Sequence, residues 1–393
     1  MKILLANKFY YRRGGDSIAT INLEHLLINQ GHEVAVFAMQ HPETIDTPYL
    51  IYFPSEVSVN NKSDILKFML RPFGTSKVKQ KWTQLLDDFQ PDVVHLNNIH
   101  SQLSPVIAQI AHQRGIKVVW TLHDYKLLCP RYDCLVNGKT PCEKCFTDKK
   151  QAIVHRCIKN SLPMSVVAYL EAMKWNRKKL ETYTGQFICP SRFMRNKMIQ
   201  GGFNPDKLNV LSNFADLQKI GINTFEKENY YCFLGRISYE KGIESLLKAA
   251  IPLPYRLIII GDGPLRSKME NLVQKTPHIS FVGYQKWPEI KEIVSKARFC
   301  VLPSECYENN PLSLIESLCL GTPVLGAKIG GIPELIEEGK NGVLFESKNV
   351  DDLKNKIEKM FLQDFDFQNM AKDAQQKYSA EKYYKQIINI YKQ

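Results

Sequence analysis

Short apolar runs alternate with helical patterns along almost the whole chain. Residues 3–7 in the first half and residues 230–234 in the second half have the composition of buried strands. Such an alternation predicts an α/β fold, in which parallel strands are joined by helices that cover the sheet. We therefore expect each half of the chain to form a Rossmann-like domain.

Length and periodicity predict where these domains begin and end. A chain of 393 residues is long enough for two domains with adequate cores. The periodicity lapses near residues 212–228, so we predict a first domain over residues 1–212 and a second over residues 213–378. The first domain contains a cysteine-rich insertion at residues 129–157, and helical spacing of apolar residues predicts a terminal helix over residues 379–393.

The segment that contains Glu308 and Glu316 is the most specific feature of the sequence. Between these glutamates, Asn310 and Pro311 are typical start signals for a helix, which we expect over residues 312–320. The first N–H groups of a helix have no partner within it and attract anions. The two carboxylates could therefore bracket a polyol that carries phosphate, although an ordinary βαβ unit with surface acids is the alternative for a lone pair of glutamates.

Other polar residues and glycines lie where predicted strands end. Gly14 and Gly15 follow the first strand and let the backbone approach a ligand. His123 follows a later strand, where a structural hydrogen bond is the alternative to a catalytic role. Arg236 and Lys241 lie five positions apart after the strand at the start of the second domain, where two cations could stabilise a departing diphosphate.

These motifs together resemble those of the retaining glycosyltransferases of family 4, which have the GT-B fold. The resemblance extends over nearly the full chain. It implies two Rossmann-like domains that face each other across a cleft, with the acceptor on the first domain and the donor mainly on the second. It also implies that the terminal helix crosses back to the first domain; the alternative is a simple terminal helix of the second domain.

The resemblance also implies a role for each matching residue. His123 would lie over the donor sugar, Glu308 would contact its hydroxyls, Arg236 and Lys241 would bind the diphosphate, and Glu316 would bind the ribose. The other substrate-binding residues that it implies are Gly14, Gly15, Asn309, Asn310, Pro311, Leu312 and Gly283.

The implied reaction is transfer of a sugar from a nucleotide diphosphate sugar to a hydroxyl of a glycan or lipid-linked acceptor, with retention. We expect a role in surface polysaccharide or glycolipid synthesis, with no cofactor required for catalysis. Two rival functions are another GT-B activity, such as nucleotide-sugar epimerisation, and non-enzymatic binding of nucleic acid or membrane.

The net charge of +12 makes an anionic partner plausible. No nucleic-acid motif accompanies this charge, so we expect no nucleic-acid partner. Residues 62–82 interleave cations with apolar side chains, which predicts either a helix on an anionic membrane or a solvated surface helix. The first apolar run is too short for a signal peptide, and no run approaches the length of a membrane span. The predicted location is cytoplasmic, with a peripheral position on the inner face of the cell membrane as a further expectation.

Five of the ten cysteines lie between His123 and Leu162. The spacing of Cys129, Cys142, Cys145 and Cys157 could supply four thiolates to one structural zinc ion, and Cys134 or His155 could replace one ligand. Free thiols are the alternative.

Overall fold

The structure is a computed structural model, and it describes residues 1–57, 65–136, 138–221 and 225–393. These residues form two compact units. The first unit contains Met1–Asn137, Cys142–Leu211 and Tyr384–Gln393, and the second contains Gly138–Pro141 and Ser212–Tyr383. Within the described ranges, no helix is both long enough and apolar enough to cross a bilayer.

The first unit is built on a parallel sheet. The strands up to residue 210 are Lys2–Ala6 (β1), Glu33–Phe37 (β2), Val93–Leu96 (β3), Lys117–Thr121 (β4), Leu135–Val136 (β5), Thr140–Pro141 (β6), Gln186–Cys189 (β7) and Leu208–Val210 (β8). Strands β5 and β6 are short strands of the cysteine-rich insertion, and the other six form the sheet in the order β2-β1-β3-β4-β7-β8. All neighbours in this sheet are parallel, so the predicted α/β fold is confirmed.

Helices connect these strands. They are Gly15–Asn29 (α1), Ile65–Leu70 (α2), Ser76–Phe89 (α3), Val106–Gln113 (α4), Gln151–Val154 (α5), Leu162–Lys174 (α6), Arg177–Tyr183 (α7) and Arg192–Gln200 (α8). The predicted basic segment 62–82 includes α2 and part of α3, whereas Lys62 lies outside the described residues.

The second unit repeats the same plan. Its strands are Tyr230–Leu234 (β9), Arg256–Ile260 (β10), Ile279–Gly283 (β11), Cys300–Leu302 (β12), Val324–Ala327 (β13) and Gly342–Phe345 (β14). They form a parallel sheet in the order β11-β10-β9-β12-β13-β14. The remaining helices are Leu217–Ile220 (α9), Ile243–Ala250 (α10), Arg266–Leu272 (α11), Trp287–Lys296 (α12), Leu312–Cys319 (α13), Val350–Leu362 (α14), Phe367–Lys377 (α15) and Ala380–Lys392 (α16). Short 3-10 helices lie at Pro48–Tyr52, Arg71–Phe73, Lys144–Phe146, Pro205–Lys207, Tyr239–Lys241 and Ile332–Glu334.

Helix α13 begins at Leu312, as predicted, but its cap differs from the expectation. Pro311 occupies the N-cap position with an extended backbone, so it precedes the first helical residue, Leu312. Asn310 does not cap the helix, because its Oδ1 accepts hydrogen bonds from Ser212 Oγ at 3.0 Å and from the backbone N–H of Asn213 at 2.8 Å. The polar side chain that was expected at the helix start instead holds the beginning of the second unit.

The end of helix α16 belongs to the first unit from Tyr384 onward. Tyr391 is buried there, and its hydroxyl lies 2.6 Å from Nδ1 of His95 on β3. Lys117 of β4 donates a hydrogen bond of 2.9 Å to the backbone carbonyl of Tyr391. The last ten residues are therefore part of the packing of the first sheet.

Candidate active site

In each sheet, the direction in which successive strands are added reverses at one place, and this place marks a candidate ligand site. In open α/β sheets, ligands bind beyond the carboxyl ends of the two strands at which the order reverses. In the first unit these strands are β1 and β3, and in the second they are β9 and β12. The residues expected to act in catalysis follow β4, β9 and β12, at or next to these positions.

In the second unit, Lys241 and Glu308 form a close ion pair. Lys241 Nζ lies 2.5 Å from Glu308 Oε1, which also accepts a hydrogen bond of 2.6 Å from Ser304 Oγ. Burial disfavours the charged ammonium, but the carboxylate of Glu308 outweighs this effect and raises the pKa of Lys241. The structure therefore brings together two of the predicted site residues and keeps the lysine charged.

Two glycines allow the loops of this site to pack backbone against backbone. Gly242 has φ +67°, and a Cβ there would lie 1.8 Å from the carbonyl oxygen of Pro303. A Cβ at Gly330, which has φ +62°, would lie 2.3 Å from the carbonyl oxygen of Glu308. The N–H of Gly331 donates a hydrogen bond of 2.7 Å to that oxygen. Only glycine permits both the left-handed backbone and these approaches, so the glycines fix the position of Glu308.

The other predicted residues of the second unit differ in their environments. Arg236 is exposed, and its side chain has no hydrogen bond or ion pair with another described residue. Glu316 lies in the second turn of α13 and is half-buried. Gly283 ends β11, and its carbonyl accepts a hydrogen bond of 2.8 Å from the N–H of Gly261. Arg236 is thus an available cation, in contrast to Lys241.

In the first unit, helix α1 begins directly at the predicted glycine pair. Gly14 is the N-cap residue and Gly15 is the first helical residue. Asp16 and Ser17, whose side chains are of the kind that caps helices, do not cap α1, because the helix starts before them. Space around Gly15 is open, since a Cβ there would meet no atom within 4 Å. The backbone at the start of α1 is therefore accessible to a ligand.

His123 lies at the end of β4 and is fixed by a neighbouring loop. Its Nε2 donates a hydrogen bond of 2.9 Å to Asn97 Oδ1. Burial lowers the pKa of His123; Asp16 opposes this effect, and Lys8 adds to it. The imidazole is therefore neutral near pH 7, with its proton on Nε2. Asp124 anchors the same loop by accepting a hydrogen bond of 2.9 Å from the N–H of Lys126.

Sequence analysis missed the asparagines that organise this part of the first unit. Asn97 and Asn98 follow β3, and Asn7 follows β1. Asn7 Oδ1 accepts a hydrogen bond of 2.9 Å from the N–H of Asn98, and Asn98 Nδ2 donates one of 3.3 Å to Asp124 Oδ2. Their position directly after buried strands, at the carboxyl edge of the sheet, was the signal that could have identified them.

Zinc binding by the cysteine-rich insertion stays a prediction. No group of three or more His, Cys, Asp or Glu side chains in the described part of the chain is arranged to hold a metal ion. The thiols pair with each other instead: Cys129 hydrogen-bonds with Cys134 and Cys145, which lowers the pKa of Cys129 and raises the pKa of the other two. Cys142 and Cys157 lie outside this hydrogen-bonded group, and all five cysteines are free thiols.

Two family models match this chain. The model described as Glycosyltransferase Family 4 matches residues 13–219, which is more than half of the chain. The model described as Glycosyl transferases group 1 matches residues 215–378. The chain therefore belongs to glycosyltransferase family 4, and its class of enzyme is that of the glycosyltransferases.

Individual relatives support the same class. An uncharacterized glycosyltransferase of Methanocaldococcus jannaschii is 30% identical over 50% of this chain and 53% of its own length. An uncharacterized 42.6 kDa protein in the cps region of Klebsiella pneumoniae is 24% identical over 85% of this chain and 87% of that protein. N-acetyl-alpha-D-glucosaminyl L-malate synthase of Bacillus anthracis is 24% identical over 88% of this chain and 84% of that enzyme.

Solved structures confirm the GT-B type of fold. Anabaena HepE in complex with UDP has a TM-score of 0.69 at 17% identity and covers 99% of both chains. Sucrose-phosphate synthase from Thermosynechococcus elongatus has a TM-score of 0.72 at 18% identity and covers 100% of this chain and 98% of that enzyme.

Proposed function

We propose that this protein transfers a hexose from a nucleotide diphosphate sugar to a hydroxyl of a glycan or lipid-linked acceptor, with retention of configuration. The second unit binds the donor and the first unit binds the acceptor. The relatives found in a cps region and the sugar-transferring relatives support a role in polysaccharide or glycolipid synthesis.

The observation that carries this proposal is the arrangement of charges after β9 and β12. Lys241 is held by Glu308, whereas Arg236 is exposed and has no side-chain partner among the described residues. The planar guanidinium of Arg236 can contact two phosphate oxygens, and Lys241 adds a fixed positive charge. These cations stabilise the diphosphate most strongly when its glycosidic bond breaks, because negative charge then grows on the leaving oxygen.

Retention follows if the acceptor attacks the same face from which the diphosphate leaves. The bond between the anomeric carbon and the diphosphate oxygen breaks, and the acceptor oxygen forms its bond to that carbon. The acceptor proton passes to an oxygen of the departing phosphate. Glu308 orients the sugar through its hydroxyls. In the role that the family resemblance implies for His123, a neutral imidazole would add no positive charge that repels the developing oxocarbenium ion.

Donor turnover tests this proposal. Purified protein is incubated with a panel of nucleotide diphosphate sugars, and release of the nucleotide diphosphate is measured with and without acceptor glycans. Lys241→Gln should abolish most of this activity, whereas Lys248→Gln is a matched control because Lys248 forms an exposed ion pair of 2.9 Å with Glu244. Equal effects of the two substitutions, or no turnover with any donor, would contradict the proposal.

Product analysis separates the remaining alternatives. NMR of the product gives the anomeric configuration, and an inverted linkage would contradict retention. An epimerase would convert the donor without an acceptor and leave no new glycosidic bond. A non-enzymatic basic protein would bind nucleic acid with a steep dependence on salt and would release no nucleotide.

We also propose that the first unit attaches to anionic membrane surfaces. Leu66 and Leu70 of α2 are 65% and 51% exposed. On α6, Leu170 and Met173 are about half exposed as well. Lys174 follows Met173 and donates a hydrogen bond of 2.7 Å to the carbonyl of Phe73, so the end of α6 lies against the segment that follows α2.

Cations surround this apolar patch. Partial burial lowers the pKa of Lys174, and the positive charges of Lys79 and Lys179 lower it further. Exposed leucines beside clustered lysines suit the interface of an anionic bilayer. A Leu66→Asn, Leu70→Asn double variant should lose sedimentation with phosphatidylserine vesicles, whereas Leu362→Asn, at a side chain that is 82% exposed in the second unit, should keep it. Equal sedimentation of both variants would contradict this attachment.

A further inference from the structure

A cavity of about 350 Å³ lies within the first unit and has no role in the reaction proposed above. Its walls come from helices α6, α7 and α8, from the loop after β4 and from the cysteine-rich insertion. This volume is at the lower end of the range of small-molecule sites, roughly 300–1,000 Å³, and suits one sugar ring with one small substituent.

The cavity has an excess of positive charge. Lys126 Nζ lies 2.8 Å from Glu171 Oε2, and both side chains are largely buried, so these two charges compensate each other. Lys149 is directed by hydrogen bonds to the backbone carbonyls of Leu127 and Leu128, and no carboxylate pairs with it among the described residues. Arg177 also lines the cavity and has no hydrogen bond or ion pair with another described residue. Among the described residues, therefore, no carboxylate pairs with Lys149 or with the exposed Arg177. Burial lowers the pKa of Lys149, and the neighbouring cysteines, Cys145 first, oppose this effect.

A buried histidine in the wall also lacks a partner. His100 is only 7% exposed, and neither of its ring nitrogens has a hydrogen bond within the described part of the chain. Its ring stacks on Trp120 at a centroid distance of 5.4 Å, and burial lowers its pKa well below the ordinary value. A neutral imidazole offers one donor and one acceptor. The ring of His100 is therefore available to hydrogen-bond with a polar ligand in the cavity.

Aromatic side chains line the same cavity. Phe146, Trp175 and Phe203 contribute to its walls. Trp175 is fixed by a hydrogen bond of 2.8 Å from its Nε1 to the carbonyl of Pro72. The flat apolar faces of aromatic rings can cover the C–H faces of a sugar, while the imidazole and the cations contact its polar groups.

We propose that this cavity binds a phosphorylated monosaccharide. A phosphate monoester carries a charge of about −1.5 to −2 near pH 7, which suits the two cations that no described carboxylate pairs with, Lys149 and Arg177. The sugar ring would lie against the aromatic walls and hydrogen-bond with His100. The ligand is either a free sugar phosphate or the phosphate-bearing sugar of the acceptor, and the second source rests on the proposed glycosyltransferase function.

Calorimetric titration with glucose 1-phosphate tests the site. Saturating UDP is present throughout, so that the phosphate site proposed in the second unit is occupied. We expect saturable binding to the wild type and a loss of affinity on the order of tenfold or more in Arg177→Gln. Lys178→Gln is the matched control, because Lys178 is the next residue of α7, is exposed and does not line the cavity.

A second variant tests the cavity without removing a charge. Ala172 lines the cavity on α6, so Ala172→Phe should fill it and prevent binding. A thermal melt of each variant confirms that it is folded. The proposal would be overturned by absence of saturable binding to the wild type, by equal affinity for unphosphorylated glucose, or by equal losses in Arg177→Gln and Lys178→Gln.

The two sources of the ligand are separated by product analysis with a labelled donor sugar. A product that contains both the donor sugar and glucose 1-phosphate identifies the cavity as an acceptor site, whereas binding without such a product identifies a site for a free sugar phosphate. Absence of turnover with every donor sugar would contradict the proposed function alone, because binding of glucose 1-phosphate to the cavity does not depend on donor turnover.

Discussion

Acid should destabilise the first unit through His95 on β3. This side chain has no solvent exposure, its Nδ1 lies 2.6 Å from the hydroxyl of Tyr391, and its Nε2 lies 2.7 Å from Oγ1 of Thr121. Burial, with a smaller effect of His123, lowers the pKa of His95 from 6.5 to about 3. The perturbation is a decrease of pH from 7 to 5.

The sign and size of the effect follow from proton linkage. The unfolded chain binds the proton near pH 6.5, whereas the folded unit resists it until about pH 3. The free energy of unfolding therefore falls as the pH decreases below 6.5. Each pKa unit corresponds to about 1.36 kcal/mol, so the interval from pH 6.5 to pH 5 removes about 2 kcal/mol.

Urea denaturation of the wild type and of His95→Gln at both pH values measures this contribution. Tryptophan fluorescence reports mainly on the first unit, which contains Trp82, Trp120 and Trp175. Other buried histidines titrate in both proteins and cancel in the comparison. We expect the stability advantage of the wild type over the variant to shrink by about 2 kcal/mol at pH 5. An advantage that is the same at both pH values would refute the reasoning.

Three further predictions concern the second unit. Replacing Arg236 or Lys241 with Ala should lower kcat on the order of a hundredfold or more, with a smaller effect on KM. The loss of kcat in the double variant should be smaller than the product of the two single losses. Full activity of either single variant in steady-state assays would contradict the diphosphate site. Glu316→Gln should weaken binding of the nucleotide diphosphate, because a carboxylate that accepts ribose hydroxyls is lost, and unchanged affinity by calorimetry would contradict that role. Gly242→Ala should lower the free energy of unfolding by at least ~2 kcal/mol more than Gly339→Ala, as measured by urea denaturation. Both backbones are left-handed, but a Cβ at Gly242 would meet the backbone of Pro303, whereas nothing lies within 4 Å of a Cβ at Gly339. Equal losses would show that the close backbone contact at Gly242 does not determine the cost.

The architecture was predictable because it depends on local patterns. The apolar run of residues 230–234 matches β9 without any shift, and the run of residues 3–7 differs from β1 by one residue, since buried strands are continuous apolar segments. Helix starts were less predictable. Asp16 has a capping side chain in the sequence, but α1 begins earlier at Gly15, because backbone geometry decided the boundary.

Interactions between distant residues could not be read from the sequence. Arg236 and Lys241 have similar charges and nearby positions, yet only Lys241 is paired, with a glutamate 67 positions away. The cysteine spacing allowed a four-thiolate site, but the fold of the insertion brings Cys134 rather than Cys142 or Cys157 to Cys129. Loop conformations decide which of several possible side chains contact each other, and these conformations cannot be derived from the spacing of residues in the sequence.

The position of the last ten residues has a consequence for synthesis of the protein on the ribosome. Because Tyr384–Gln393 belong to the first unit, that unit cannot complete its packing when Leu211 emerges. At roughly 5–20 residues per second, the ~170 residues that follow take about 10–35 s to translate. During this interval His95 lacks the hydroxyl of Tyr391, so the packing of the first sheet stays incomplete until residues 384–393 are translated.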